Sequence, residues 1–348
     1  MAVILLALVV LAVFVERWSV ENALKGVEFD YGPSLLLAAP DEKFTITANL
    51  ANRSMRFIPF IKVEEYLPPD VKLYEHNAKV VSDFKGDFWY TFATFLMPRS
   101  GLRRDISASI PRRGRYIFRG AQLSGGDFLG LKEQEQRAEA NREIVIYPRE
   151  TAAEGVSEFM GGFLGDLSVR RFIIEDPVLT AGFREYTGRE PMKAISWTQS
   201  ARTGSIMVRN FDYTTEPSVT VLLNVECREE DREDLIESCY SITHTVCRIL
   251  EERKVKYDFY TNATTSGAFA DWSYIGEGLG AKHFLTILEG LGRASYMARE
   301  PFSACLKKVD QRSARSYVVI TPTDNDQARS ILNRENAGQT LVIPATTP

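Results

Sequence analysis

Cysteine is absent from the whole N-terminal half of this 348-residue chain; the four present are Cys227, Cys239, Cys247 and Cys305. No paired spacing links them, so a disulfide framework is excluded. Thiols flanked by apolar residues fit a reducing compartment. Histidine is scarcer still, with only His76, His244 and His283. None sits near a nucleophile motif such as Gly-x-Ser-x-Gly, so no hydrolase signature is read. A basic excess is also lacking. The formal net charge is -4, which gives no electrostatic footprint for nucleic acid. Internal repeats and low-complexity tracts are absent, and an aromatic content of 11% argues against long disorder.

What is present begins with an apolar run, Met1–Val15, followed by Glu16, Arg17 and Trp18. At 1.5 Å per residue such a run spans only about 22 Å, against a bilayer core of about 30 Å. Trp18 and Arg17 suit the interface. No basic stretch precedes the run, as a secretory signal would require. Residues 1–18 are therefore expected to be a membrane anchor, single-pass or the surviving half of a hairpin. A buried N-terminal element is the alternative. Arg17 and Lys25 follow the run and none precedes it, which places the globular part on the cytoplasmic side.

From 27 to 148 hydrophobicity alternates with period two, as in Lys43–Leu50 and Ile58–Tyr66. Further strands are expected over 88–95, 105–110, 116–123 and 143–147, separated by turn clusters such as Ser124-Gly125-Gly126-Asp127. Short strands at this spacing predict an antiparallel sandwich. Residues 149–217 read as an irregular but ordered connector. From 218 to 348 the period changes. Val219–Val225 is a continuous apolar run, expected of a strand buried on both faces. An apolar stripe of Leu235, Cys239, Ile242, Val246 and Leu250 marks a helix. Further strands over 255–260, 317–320 and 339–343 alternate with helices over 282–291 and 326–335, implying a parallel, doubly wound sheet.

The connector carries Arg184-Glu185-Tyr186, Pro191-Met192-Lys193, Ile195, Trp197, Ser200-Ala201-Arg202 and Val208. Upstream stand Arg113-Gly114-Arg115-Tyr116, Gly126-Asp127-Phe128-Leu129-Gly130-Leu131 and Tyr147-Pro148-Arg149. Together these resemble the signature of the domain-of-unknown-function 58 family across nearly the whole chain. The family's Gly-Asp step is replaced here by Arg189-Glu190. The resemblance implies an N-terminal membrane anchor and a C-terminal von Willebrand A-like domain. It also implies partnership with a MoxR-type AAA+ ATPase and an assembly role with no established enzymatic activity. The expected fold class is thus α+β and multidomain: apolar anchor, all-β sandwich-like domain, and doubly wound von Willebrand A-like α/β domain.

Such domains hold Mg²⁺ with Asp-x-Ser-x-Ser at the exit of the first parallel strand, where a hard cation finds oxygen ligands. Here the three places are Asn224, Glu226 and Arg228, and a guanidinium has no lone pair to offer. The site is expected to be degenerate, with no cofactor. Glu226, Thr323 and Asp324 are the candidates for an altered site. Cys239, His244 and Cys247 lie on one helix in directions that do not converge on zinc. Gly276-x-Gly278-x-Gly280 lacks the fuller phosphate-binding fingerprint and reads as a flexible connection. Arg184, Glu185, Tyr186, Lys193, Trp197, Ser200 and Arg202 form the signature set. The alternation of Ile195 and Trp197 favours a buried staple between domains, whereas exposure would make the set an interaction surface.

Three functions follow from these readings. The first is a membrane-anchored, non-enzymatic scaffold working with an AAA+ ATPase on an unnamed client. The second is an adhesion or ligand-binding module with its own metal site. The third is a cryptic hydrolase.

Overall fold

The computed structural model describes residues 24–74, 80–82, 88–126, 133–151, 153–171, 180–188, 190, 192–211, 218–227, 232–267, 271–309, 316–323 and 339–345. Two compact units divide the chain. One runs to Arg149 and includes Leu291–Arg293; the other comprises Glu150–Gly290 and Ala294 onward.

Among the described residues up to Arg149, the first unit holds strands and no helix. Its elements are β1 (Val27–Pro33), β2 (Leu37–Ala38), β3 (Phe44–Asn52), β4 (Ile58–Leu67), β5 (Lys72–Leu73), β6 (Val80–Ser82), β7 (Phe88–Leu96), β8 (Gly101–Ser109), β9 (Gly114–Gly126) and β10 (Glu133–Ile146). They form two sheets, ordered β1-β3-β8-β5 and β2-β10-β9-β4-β7-β6. Strict alternation in β3 turns Phe44, Ile46, Ala48 and Leu50 inward, as a half-buried strand requires. Phe44 and Ile46 share a core with Tyr31 of the same sheet and with Tyr90, Phe118 and Ile144 of the other. Phe118 meets Tyr31 and Phe44 edge-on, with ring centroids 5.6 and 6.5 Å away, the arrangement aromatic quadrupoles favour. The unit is a β-sandwich.

The second unit holds α1 (Ala153–Arg171), β11 (Thr180–Glu185), α2 (Trp197–Thr203), β12 (Met207–Phe211), β13 (Ser218–Leu223), α3 (Arg232–Glu252), β14 (Lys256–Thr261), β15 (Ala263–Thr265), β16 (Tyr274–Gly278), α4 (Ala281–Arg293), β17 (Ala294–Ala298), α5 (Phe302–Val309), β18 (Ser316–Thr321) and β19 (Thr340–Pro344). Its main sheet is ordered β16-β14-β13-β18-β19. Every residue of β13 from Val219 to Leu223 is buried. Helix α3 opens on Glu233 and Asp234, which complement the positive end of its dipole, and it buries Ile236, Cys239, Tyr240, Val246 and Leu250.

The expected fold class needs correction. Among the described residues strand outweighs helix, and the second unit is not a doubly wound parallel domain of von Willebrand A type. After β14 the chain does not cross over to a parallel neighbour: beyond the short β15, β16 returns antiparallel to β14 at the sheet edge. β17 leaves the sheet to pair antiparallel with β15 in a separate ribbon. Period and composition identify a strand, but not the direction in which it rejoins a sheet, which its connection decides. The helix expected over 326–335 lies outside the described residues. So does the expected anchor, Met1–Trp18; among the described residues no helix is long and apolar enough to cross a membrane.

Two further expectations change. The connector is not irregular: it contains the 19-residue α1, the antiparallel pair β11–β12 and α2. The glycine run is not a flexible link either. Gly276 and Gly278 lie within β16, and a Cβ on Gly278 would come 2.5 Å from Nδ1 of His283.

Candidate functional site

The strand exits of the main sheet carry a closed amide network. Asn224, just past β13, is 3% exposed. Its Nδ2 donates to Thr321 Oγ1 at the end of β18, at 3.2 Å. Its Oδ1 accepts from Asn262 Nδ2 at 3.0 Å and from the backbone N–H of Glu226 at 2.9 Å. Asn262, just past β14, accepts the Val225 N–H at 2.9 Å through its own Oδ1 and donates to the Glu300 carbonyl at 3.4 Å. Three strand ends are thus tied together where a ligand would sit in an open α/β sheet. The amides and hydroxyl spend their polar atoms on each other and on backbone.

Glu226 faces elsewhere. Its Oε2 accepts the N–H of Phe302 at 3.1 Å, satisfying one of the free donors that open α5. Thr323 is half-buried, while Arg228 and Asp324 lie outside the described residues. Among those described, no three His, Cys, Asp or Glu side chains stand together as a metal cluster. Cys239 and Cys247 are buried in the α3 core, and burial pushes both thiols well above their ordinary range. The His244 ring lies 5.7 Å from that of Phe284, tilted by 46°.

A second polar cluster has no motif or spacing that marks it in the sequence. Glu251 accepts the Tyr257 hydroxyl at 3.1 Å and the Gly280 N–H at 2.9 Å. His283 Nε2 lies 3.0 Å from the Tyr257 carbonyl. Glu251 therefore binds the start of α4, and the His283 contact is with backbone rather than with a nucleophile. His76 lies outside the described residues.

The signature residues gather on one small module. Val208 of β12 is flanked by Arg184 of β11 and by a bridge to Ile195. Val208, Ile195 and Ala194 are buried. Ser200 fixes α2 to this ribbon, since its hydroxyl accepts the Met207 N–H and donates to the Ser196 carbonyl, both at 2.8 Å. Gly204 ends α2 with φ 75°, a left-handed conformation glycine adopts without strain. Glu185 pairs in register with Met207, and the Tyr186 N–H donates to the Ile206 carbonyl.

Trp197 departs from expectation. It starts a helix instead of continuing a strand, and it is 64% exposed. The buried staple is therefore corrected. Phe183, Met192 and Ile206 are exposed as well, and so are Lys193, Arg202 and Arg209.

Glu190 closes the turn that precedes Trp197. It accepts the Thr187 hydroxyl at 2.8 Å and the Thr187 N–H at 3.1 Å, and it pairs with Arg184. The Thr187 hydroxyl and then the Arg184 guanidinium hold its carboxyl down to about 2. A depressed carboxylate adds stability above its ordinary value and loses it as pH falls through the folded one. The turn should therefore stay closed from neutral pH down to about 2. Carboxyl carbon chemical shifts followed by NMR check this, and Thr187→Val should move the Glu190 titration upward.

No protein-family model and no curated protein matches the chain. Solved structures do. The CARDB domain of a Pyrococcus furiosus protein matches at 11% identity and TM-score 0.24, covering 34% of this chain and 91% of that one. A cohesin module from a Clostridium perfringens family 33 glycoside hydrolase matches at 10% identity and TM-score 0.22, covering 33% and 97%. A non-cellulosomal cohesin from Archaeoglobus fulgidus matches at 10% identity and TM-score 0.24, covering 38% and 96%. Likenesses this slight carry no argument about what the chain binds or does.

Proposed function

We propose that this chain is a membrane-associated interaction protein without catalytic chemistry of its own. It works on the cytoplasmic side with a MoxR-type AAA+ ATPase in the assembly or maturation of other proteins, and residues 183–209 are its docking face. The supporting observation is the exposure of Trp197, Met192, Phe183 and Ile206 on a module whose backbone is held by Ser200 and by the β11–β12 ladder. Lone exposed apolar residues are ordinary, but several on one preorganised element mark an interaction surface. Tryptophan and arginine are the side chains that most often dominate such interfaces. Lys193, Arg202 and Arg209 are exposed on the same module, so the complementary surface is proposed to be acidic. The choice of ATPase rests on the resemblance to the domain-of-unknown-function 58 family. The choice of membrane rests on the apolar run Met1–Val15.

Trp197→Ala is expected to leave the unfolding midpoint within about 0.5 kcal/mol of wild type, as exposed substitutions do. It should also abolish recovery of an AAA+ ATPase from detergent-solubilised membranes. Arg202→Glu should act in the same way. Undiminished recovery of the ATPase with both variants would remove the face from the proposal.

A further inference from the structure

A cavity of about 760 Å³ lies in the second unit where α1, the first half of α3 and the end of β19 meet. Its apolar lining includes Val156, Phe159, Ile242 and Ile343. Its acidic lining is Glu150, Asp234 and Glu237. Among the described residues no lysine or arginine lines it, although Glu150 pairs with Arg248 at 2.6 Å. Phe159 is 45% exposed, an aromatic ring left in water at an apolar hollow.

The composition of α1 adds a separate observation. Gly155, Gly161, Gly162 and Gly165 all lie within it, and each costs a helix about 1 kcal/mol relative to alanine. A Cβ at any of the four would meet nothing within 4 Å. Packing inside the chain therefore does not require the bare backbone. Gly155 and Phe159 line the cavity, and Gly162 follows at the next turn of the same helical face. Glycine on a helix face permits close approach of another backbone, and nothing within the chain occupies the space at these four positions.

We propose that this cleft receives an amphipathic helix of a partner protein, with apolar anchors and flanking lysine or arginine. The apolar floor takes the anchors, the glycines let the helix axes close up, and the carboxylates select the charge. A small-molecule site would instead present buried polar groups converging on one point, whereas Asp234 and Glu150 are exposed. The cleft is distinct from the 183–209 face and stands independently of it.

The test uses the full chain and two fluorescein-labelled amphipathic peptides of about 18 residues, five turns of helix. One is built from leucine and lysine, the other from leucine and glutamate. Fluorescence anisotropy should show binding of the lysine peptide only. Phe159→Ala should weaken that binding about tenfold, as should the pair Asp234→Asn with Glu237→Gln, where a tenfold loss corresponds to about 1.4 kcal/mol. Glu237→Gln preserves an acceptor for the Tyr296 hydroxyl, which donates to Glu237 at 3.0 Å, so the pair reads charge and not fold. Trp197→Ala should leave peptide binding unchanged, which separates this cleft from the docking face. The proposal is overturned if neither peptide binds, if both bind equally, or if the lysine peptide binds the cleft variants as tightly as wild type. Self-association that Phe159→Ala abolishes, without peptide binding, would assign the cleft to a second copy of the chain and overturn it as well.

Discussion

Asn262→Ala is expected to lower the free energy of unfolding by roughly 2–4 kcal/mol, because buried polar groups left unsatisfied cost about 1–3 kcal/mol each. The substitution strips the Val225 N–H of its acceptor and Asn224 Oδ1 of one donor. Both groups stay buried, since Val225 and Asn224 are 1% and 3% exposed. It also removes the side-chain link from the end of β14 to the Glu300 carbonyl. Urea unfolding should show a lower midpoint with an unchanged m-value, the signature of lost stability without a changed denatured state. Asn224→Ala breaks the same network from the other side. The two effects should fall short of additivity by about 0.5–3 kcal/mol, the range seen for residues in one hydrogen-bond network. If instead the two losses simply add, the amides are separate contacts and the strand ends are not cross-linked through them. Added Mg²⁺ should leave both variants unrescued, since these side chains bond to one another.

The two units differ in how far their sequence gave them away. Residues 43–50 alternate so regularly that β3 emerges with its inward face in place. The same holds for β4, apart from a register shift between Ile58 and Ile61. Strand β10 was legible only at its end. Glu133–Glu139 is almost wholly polar, and it pairs residue by residue with Ser124, Gln122 and their neighbours in β9. Its strand identity comes from the ladder, and no hydrophobic period announces it. In the second unit the apolar run 219–225 announced a buried strand, but the return of β16 and the departure of β17 depend on loops whose composition is neutral between outcomes. Helix α1 carries no helical signal in its sequence, because four glycines depress its propensity and its apolar residues describe no clear stripe.

The strand exits were partly legible. The apolar run that leads to Asn224 was visible in sequence, and Asn224 does stand just past the end of β13. Its partner Asn262 was not visible, since an asparagine after a strand normally reads as a turn residue. Only tertiary structure sets it beside Asn224, 38 residues away. Trp197 misled for a different reason. Two residues in alternation, Ile195 and Trp197, suggest a strand, but Ser196 ends that run and α2 begins at once. The change of period rotates the indole from the buried side of Ile195 into solvent.

The same substitution, glycine to alanine, should have opposite signs in the two units. Gly120 of β9 has φ +126°, and a Cβ there would lie 2.0 Å from the Ala138 carbonyl oxygen and 3.0 Å from the Ala140 nitrogen. All the atoms it meets belong to backbone, so no side chain can swing aside. The position faces the irregularity where the β9–β10 register shifts between Glu139 and Arg142, with Asn141 at φ 47°. Such bulges let a long strand bend and twist. Relief of the clash requires the ladder to open there, and the backbone strain alone is worth about 1–3 kcal/mol. Adding lost pairing in the sheet, Gly120→Ala should destabilise by roughly 3–5 kcal/mol, the level at which single substitutions become exceptional. Gly161→Ala meets open space in the interior of α1 and should stabilise by up to about 1 kcal/mol. Urea unfolding of the full chain, read by far-UV and aromatic signals, measures both. A wild-type midpoint for Gly120→Ala would mean that the β9–β10 hairpin tolerates a side chain at its bulge, and that the positive φ is incidental to the fold.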